Sequence, residues 1–180
     1  MPSAQAEGAL YRDWFDAAGM SPAIQAIELN EGEGDFLTIG DMILAGTGFR
    51  TSLTAHREVA EFFGREVISL TLVDPRFYHL DTALTVLDEN TIAYFPDAFS
   101  AASQEQLHDL FPDAVIATQT DAEAFGLNAM SDGLHVVLSA TAVDLHATLR
   151  DRGFEPIGVD TSELIKAGGS AKCCTLELRS

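Results

Sequence analysis

The sequence predicts an α/β fold built from a repeated strand–strand–helix–strand unit. Three pairs of apolar runs flank short polar turns at Gly40-Asp41, Asp88-Glu89-Asn90 and Asp132-Gly133, and each pair is typical of a β-hairpin. A helical pattern and then a further apolar run follow each hairpin. The second hairpin strands recur at intervals of about 45 residues, which indicates a repeat architecture whose units pack on their neighbours.

The elements are predicted as follows. A helix at 8–18 ends at Gly19, and residues 24–29 alternate in polarity like a strand. Helix starts are expected at Ser103, from its capping-box spacing to Gln106, and near Thr141. No low-complexity linker interrupts the chain, so we expect a single domain over residues 1–180. In each unit the predicted order is strand, strand, helix, strand. The ranges are 36–39, 42–45, 54–63 and 67–73 in the first unit; 80–87, 91–95, 103–111 and 114–118 in the second; and 127–130, 134–138, 141–152 and 154–159 in the third.

Composition narrows the function. The 180 residues are 47% hydrophobic and 21% charged, as expected of a globular domain, and the formal net charge of -18 argues against nucleic acid and anionic membranes as partners. No segment is long and apolar enough for a bilayer span, and the N-terminus lacks signal-peptide features, so a cytoplasmic location is expected. Two adjacent cysteines provide neither a disulfide framework nor a structural zinc site.

The C-terminal segment contains the candidate nucleophile. Gly168 and Gly169 precede a short run of alternating polarity, which predicts a strand approached by a flexible turn. Cys173 would then share a face with polar groups, and Cys174 would be a small buried hydrophobe. Both being inert buried thiols is the alternative. The two faces would carry Cys173, Thr175 and Glu177, and Cys174, Leu176 and Leu178.

An acidic cluster lies where the first complete hairpin begins. Glu31, Glu33 and Asp35 alternate with two glycines. Crowded carboxylates repel one another unless a cation is present, so the cluster indicates a metal or a cationic ligand, or else an ordinary acidic turn.

Two further positions carry polar groups that a plain core would not need. On the predicted strand at 80–87, His79 and Asp81 would share the face opposite the apolar side chains, as a general acid/base and a cation-binding carboxylate would require. A structural histidine is the alternative. Arg50 follows the 46–49 turn and could bind a carboxylate through two hydrogen bonds, although an exposed flanking arginine is commoner.

These residues together resemble a known superfamily. The ordered segments NEGEGD, GTGFRT, FYHLDT, FGLNAMSDG and GGSAKCCTLEL are similar to those of guanidino-group-modifying enzymes: dimethylarginine dimethylaminohydrolases, arginine deiminases and dihydrolases, and amidinotransferases. The resemblance extends from about Glu7 to the C-terminus. It implies an α/β propeller of five blades, each with the strand–strand–helix–strand order, and an active site at the central axis.

The resemblance also implies residue roles. Cys173 would be the nucleophile that forms a covalent thiouronium intermediate, and His79 the general acid and base. Glu31, or alternatively Glu33, would be the catalytic acid, and Asp81 would hold the guanidinium. Arg50 would bind the α-carboxylate of a small cationic guanidino substrate. Asp35 and Thr175 are further candidate contacts, and no metal or organic cofactor is required.

The chain is shorter than five such units. Five repeats of about 45 residues would need roughly 225, so an incomplete propeller lacking the family's N-terminal part is expected. We therefore expect either a truncated gene product or a homodimer, which unclosed sheet edges favour, and low or absent activity. Three functions therefore stay open: a hydrolase of arginine or methylarginine, an amidinotransferase, and a catalytically impaired remnant that binds arginine-like ligands.

Overall fold

The structure, a computed structural model, describes residues 2–20 and 22–177, with only the backbone of residues 2–6. Three three-stranded sheets follow one another along the chain. In each, an antiparallel hairpin is followed by a helix and a third strand parallel to the second, which confirms the predicted repeat. No helix within these ranges is long and apolar enough to cross a bilayer. The helices are α1 (Pro2–Ala17), α2 (Leu53–Phe63), α3 (Leu80–Ala83), α4 (Ala101–Leu110), α5 (Gln119–Glu123), α6 (Val143–Asp151) and α7 (Ser162–Ile165); the strands are β1 (Phe36–Ile39), β2 (Met42–Thr47), β3 (Glu66–Thr71), β4 (Leu84–Val86), β5 (Ile92–Tyr94), β6 (Val115–Ile116), β7 (Met130–Ser131), β8 (His135–Ser139) and β9 (Glu155–Val159).

Helix α2 is held on the first sheet by a buried histidine. His56 Nε2 bonds to the Gly46 carbonyl at 3.0 Å, and its Nδ1 lies 2.7 Å from Ser69 Oγ. Burial lowers the pKa of His56, and a neutral imidazole can donate to the carbonyl while accepting from the hydroxyl. Ser52 caps the start of α2, and Gly64 ends it with a φ of +62°.

One apolar core runs through all three sheets. Leu44 on β2, Leu84 on β4 and Leu138 on β8 are completely buried. The first strands of successive sheets contact each other, β1 with β4 and β4 with β7. Thr85 Oγ1 also donates to the Ala129 carbonyl at 3.3 Å, which links the second sheet to the segment before the third. The three units therefore pack side by side, as repeat units with apolar faces must.

The predicted strand at 24–29 is wrong. These residues form no regular element, and Ile27 is 90% exposed. The backbone N–H groups of Ile27 and Glu28 instead donate to the Glu58 carboxylate on α2, at 2.7 and 3.0 Å. A side chain thus supplies the acceptors that a neighbouring strand would otherwise supply.

The first half of the predicted strand at 80–87 is also wrong. Helix α3 forms one helical turn there, and β4 has only three residues. Leu80 N–H donates to the Asp35 carboxylate at 3.0 Å, and Thr82 Oγ1 donates to the His79 carbonyl at 2.7 Å. These contacts satisfy the backbone outside a strand ladder, so the chain bends just before β4.

Two predicted helix starts are displaced. Helix α4 is capped by Ser100, whose hydroxyl accepts from the Ser103 N–H, so Ser103 lies inside the helix. Helix α6 has Ala142 at its N-terminal cap position and no side-chain cap, so Thr141 lies outside it. The short helices α5 and α7 were not predicted, because a four- or five-residue helix carries too little periodicity.

A buried carboxylate fixes the bend before β4. Asp35 is 1% exposed; its Oδ1 accepts from Leu80 N and its Oδ2 accepts from Thr51 Oγ1 at 2.6 Å. Burial raises the pKa of Asp35, and the two hydrogen bonds offset part of that rise. A Cβ on Gly46 would lie 2.7 Å from Asp35 Oδ1, so the carboxylate fits only because this position is glycine.

Replacing Thr51 tests this junction. Thr51→Val keeps the side-chain shape but leaves Asp35 Oδ2 without its donor, so the free energy of unfolding should fall by about 2 kcal/mol at pH 7. Urea denaturation measures the loss. Thr91→Val, on the turn between β4 and β5, makes the same exchange at a half-buried site where the backbone N–H, and not the hydroxyl, contacts a carboxylate, that of Asp88. Equal stability losses in both variants would contradict this role of Asp35.

Candidate active site

A cavity of about 440 Å³ opens where three distant parts of the chain meet. These parts are the loop before β1, the segment leading into α3 and the C-terminal turn. The cavity wall carries thiol, carboxylate, imidazole and ammonium groups, which is typical of a catalytic site rather than of a packing defect. Of the predicted site residues, Glu31, Glu33, His79, Asp81, Cys173 and Thr175 line this cavity, and Arg50 and Asp35 do not.

The C-terminal segment is not the predicted strand. Lys172–Cys174 form a turn of 3-10 helix, closed by a hydrogen bond from Thr175 N to the Lys172 carbonyl at 3.0 Å. The alternation of faces therefore does not apply, and Leu178 lies outside the described residues. The burial predicted for Cys174 is wrong as well, because both cysteines are exposed and both line the cavity. Cys174 Sγ donates to the Ala171 carbonyl at 3.1 Å, so it is engaged within its own turn.

The glycines before this turn are required by close approaches. A Cβ on Gly169 would lie 2.7 Å from Cys173 Sγ, so any larger residue would displace the thiol. Gly168 has a φ of +89°, and its carbonyl accepts from the Tyr78 hydroxyl at 2.8 Å. Gly34 similarly leaves room for His79, whose Nδ1 would lie 2.9 Å from an added Cβ. Three glycines thus let the polar groups of the cavity pack closely.

Asp81 is the most unusual group in the site. It lies in α3 and is 3% exposed, yet its Oδ1 has no hydrogen-bond partner among the described residues. Its Oδ2 lies 3.6 Å from Cys173 Sγ. Burial raises the pKa of Asp81 to about 6, although His79 and Lys172 favour its charged form. A buried carboxylate with one unpaired oxygen is costly unless a ligand completes it, and a cation is the ligand that it suits.

The environment of the Cys173 thiol disfavours its charged, thiolate form. Burial raises its pKa first, and the nearby Asp81 carboxylate raises it further. Hydrogen bonds from Asn128 and from the Ser170 backbone act in the opposite direction. A cation bound between Asp81 and Cys173 would remove the repulsion and favour the thiolate, which is the nucleophilic form.

An imidazole–carboxylate pair forms the opposite wall. His79 Nε2 lies 2.6 Å from Glu31 Oε2, and Arg50 Nη1 donates to the other oxygen, Glu31 Oε1, at 3.2 Å. Burial raises the pKa of Glu31, but the hydrogen bond and charge of His79 and the charge of Arg50 outweigh it, so the pKa is lowered. Glu31 therefore stays ionised and holds the His79 ring in place.

Glu33 has a different partner. Its Oε2 accepts from Lys172 Nζ at 2.7 Å, and Glu177 Oε1 lies 3.6 Å from the same nitrogen. The Lys172 side chain is only 8% exposed, so its charge is compensated inside the protein. Of the two predicted candidates for the catalytic acid, only Glu31 contacts the histidine.

Of the three remaining predicted residues, Thr175 lines the cavity, whereas Arg50 and Asp35 lie outside its lining. The Arg50 guanidinium lies 5.0 Å from the centre of the Tyr78 ring, at the cavity's edge, and its side chain is 49% exposed. Asp35 lies behind the wall, bonded as described above. Thr175 Oγ1 donates to the Lys172 carbonyl at 2.7 Å.

The acidic cluster is thus internally neutralised. Glu31 pairs with a histidine and an arginine, Glu33 pairs with a lysine, and Asp35 accepts hydrogen bonds from neutral donors. Within residues 2–20 and 22–177, no group of three or more His, Cys, Asp or Glu side chains is placed to hold a metal ion. The alternation of acids and glycines predicted a metal or a cationic ligand, or else an ordinary acidic turn, and in the described residues the partners of these acids are side chains of this protein.

Sequence reasoning missed three residues of the site. Asn128 lies in the recognised FGLNAMSDG segment but was given no role, although its Nδ2 donates to Cys173 Sγ at 3.1 Å. Lys172 was given no role and Tyr78 was placed on the apolar face of the predicted strand, although both line the cavity. The position of Lys172 directly before the cysteine was the available signal. For Asn128, the contact crosses 45 residues, and no local pattern reveals it.

Comparison with known proteins gives a consistent result. The profile of the arginine deiminase family matches residues 23–131. The chain is 56% identical over 177 residues to a dimethylarginine dimethylaminohydrolase of Mycobacterium tuberculosis, covering 98% of this chain and 58% of that protein. The N-terminal domain of the cyanobacterial arginine dihydrolase ArgZ superposes with a TM-score of 0.90 at 34% identity, over 96% of this chain and 65% of that one. The amidinotransferase SxtG of Microseira wollei, at 19% identity and a TM-score of 0.78 over 96% and 62% of the two chains, shares the fold. The chain thus spans less than two thirds of each of these relatives.

Neutralising Asp81 should stabilise the protein while removing its cation site. Because its pKa is raised to about 6, the folded protein retains a proton that the unfolded chain releases, and stability falls as pH rises from about 4 to 6. Asp81→Asn should therefore raise the free energy of unfolding at pH 7.5 by about 1–3 kcal/mol, with little effect at pH 4. Urea denaturation at both pH values measures this. Asp41→Asn, on the exposed β1–β2 turn, is the control, and an Asp81→Asn variant less stable than the wild type at pH 7.5 would contradict the assignment.

Proposed function

Because this chain belongs to the arginine deiminase family of guanidino-group-modifying enzymes, we propose that it hydrolyses the guanidino C–N bond of an N-methylated arginine. The observation that carries the proposal is the buried Asp81 carboxylate, whose Oδ1 lacks a partner in the described structure beside the Cys173 thiol. The choice of a methylated substrate follows the name of the M. tuberculosis relative, and arginine itself is the next candidate.

Substrate binding would begin with charge. A guanidinium is a planar, delocalised cation whose N–H groups pair well with a carboxylate, and Asp81 Oδ1 is available to accept from it. Arg50, exposed at the edge of the cavity beside Tyr78, would bind the α-carboxylate of the amino acid. Together, these two groups would suit a substrate with a cation at one end and an anion at the other.

The first step would be attack by sulfur. The bound guanidinium offsets the Asp81 charge that raises the pKa of Cys173, so the thiol loses its proton more easily once the substrate is present. The sulfur–carbon bond forms and the bond from carbon to the substituted nitrogen breaks. His79 gives a proton to the departing methylamine or dimethylamine, and a thiouronium remains on Cys173.

The second step would be hydrolysis. The neutral His79, held by Glu31 at 2.6 Å, takes a proton from water as the oxygen adds to the thiouronium carbon. The carbon–sulfur bond then breaks, the electron pair returns to sulfur, and the ureido product leaves. The balance is one methylarginine and one water giving one citrulline and one methylated amine.

The fold supports this placement of the site. We take residues 1–180 as a single domain and the three units as blades of an incomplete α/β propeller, because the first strand of each sheet contacts that of the next. In such an arrangement, the segments that lead into the first strand of each unit would lie close to one central axis. The cavity is formed by segments of this kind: the loop leading into β1 and the chain leading into β4.

Separate replacement of the two cysteines tests the proposal. Cys173→Ser should reduce citrulline release from dimethylarginine by roughly a thousandfold or more, because the covalent route is lost. Cys174→Ser, whose hydroxyl can keep the contact with the Ala171 carbonyl, should remain within a fewfold of the wild type.

The products identify the reaction class. Dimethylamine and citrulline from dimethylarginine would support the proposal, and ornithine from arginine would indicate a dihydrolase instead. Product formation only in the presence of an acceptor amine would indicate an amidinotransferase. Full activity in Cys173→Ser would contradict the assigned nucleophile.

A further inference from the structure

The side chain of Asn128 uses its whole hydrogen-bonding capacity at the nucleophile. An amide side chain has two donor hydrogens and two acceptor lone pairs. Asn128 Oδ1 accepts from Ser170 N at 2.7 Å and from Cys173 N at 3.1 Å. Its Nδ2 donates to the Asp81 carbonyl and to Cys173 Sγ, each at 3.1 Å. Asn128 is completely buried, so these contacts are not exchanged with solvent.

The backbone at Asn128 is also committed to this turn. The Asn128 carbonyl accepts from Lys172 N at 3.1 Å, and its N–H donates to the Phe125 carbonyl at 3.2 Å. Phe125 has a φ of +54°, which a non-glycine residue adopts only when its surroundings require it. A Cβ on Gly126 would lie 2.5 Å from the Ala142 side chain, so this segment packs closely against Ala142. Asn128 therefore contacts the C-terminal turn from a closely packed segment.

The contact with sulfur differs in kind from the other three. The three contacts to backbone atoms fix the shape of the turn in any protonation state. A neutral thiol is a weak acceptor, whereas a thiolate accepts strongly from an N–H group. The Nδ2 donor therefore favours the charged sulfur over the neutral one, and it does so in a site whose nearest carboxylate, Asp81, has the opposite effect.

We propose that Asn128 acts directly on the reacting atom: it fixes the position of Cys173 and donates to its sulfur whenever that sulfur is anionic. This inference rests on the proposed function for its timing. The sulfur carries negative charge before it attacks the guanidino carbon, and again when the carbon–sulfur bond breaks and the electron pair returns to it. Asn128 thereby assists both the formation and the breakdown of the intermediate.

Alkylation by iodoacetamide tests the proposal without any guanidino substrate. The Cys174→Ser background leaves Cys173 as the only thiol in the sequence. Asn128→Asp keeps both acceptor contacts, loses both donors and places a negative charge beside the sulfur. Its alkylation midpoint should move up by at least about one pH unit, and the rate at pH 7 should fall about tenfold.

A second variant separates the donor from the added charge. Asn128→Ser removes the amide without adding charge, and its alkylation midpoint should also move up, by a smaller amount. A shift in Asn128→Asp with none in a folded Asn128→Ser would overturn the proposal. Asn90→Asp, on the exposed β4–β5 turn, makes the same chemical change elsewhere and should leave the profile unaltered.

A measurement on the unsubstituted side chain does not depend on how the variants fold. The Asn128 side-chain amide resonances, followed by NMR across pH in the Cys174→Ser protein, should titrate with the same midpoint as alkylation. Resonances that do not move through the thiol titration would overturn the proposal. The proposed hydrolase function and the proposed role of Asn128 can be disproved independently. A protein without hydrolase activity can still show a shared titration of Asn128 and Cys173, and an active protein can lack it.

Discussion

An unpaired carboxylate oxygen next to a thiol is the feature on which the rest of the site depends. Asp81 is nearly inaccessible to solvent, and burial raises its pKa, so keeping an anion there costs folding free energy. Burial raises the pKa of Cys173, and the same Asp81 charge raises it further, so both disfavour the thiolate. A cation bound beside Asp81 would offset its charge and also lower the pKa of Cys173, so the proposed substrate would favour the thiolate as it binds.

The surrounding structure supplies rigidity from distant parts of the chain. Lys172 and Glu33, 139 residues apart, join the C-terminal turn to the loop before β1. Asn128 joins the same turn to the third unit, and Asp35 joins the first unit to α3. Each connection is made by a polar side chain that is buried or paired, so the reacting groups are positioned before any ligand binds.

The sequence predicted the repeat. Six of the eight predicted site residues line the cavity, but the backbone geometry around them was not predicted. Hairpins with glycine or aspartate turns and helices ending at glycine have strong local signals. The three hairpins and the end of α2 at Gly64 are confirmed, but the strand predicted at 127–130 is found at Met130–Ser131. The strand expected at 80–87 is a helical turn in its first half, and the strand expected around Cys173 is a turn of 3-10 helix, because short runs have no unique period. The deciding contacts, from Asp35 to Leu80 and from Asn128 to the turn, cross more than 40 residues and leave no trace in local spacing.

The proposed mechanism requires that the sulfur of Cys173 attack the guanidino carbon inside this cavity. Mass spectrometry of the protein quenched in acid during turnover of dimethylarginine tests it most directly. We expect a thiouronium adduct on the peptide that contains Cys173. The adduct should be absent from Cys173→Ser and present in Cys174→Ser. Steady turnover with no adduct at any quench time, or with the adduct located on Cys174, would contradict it.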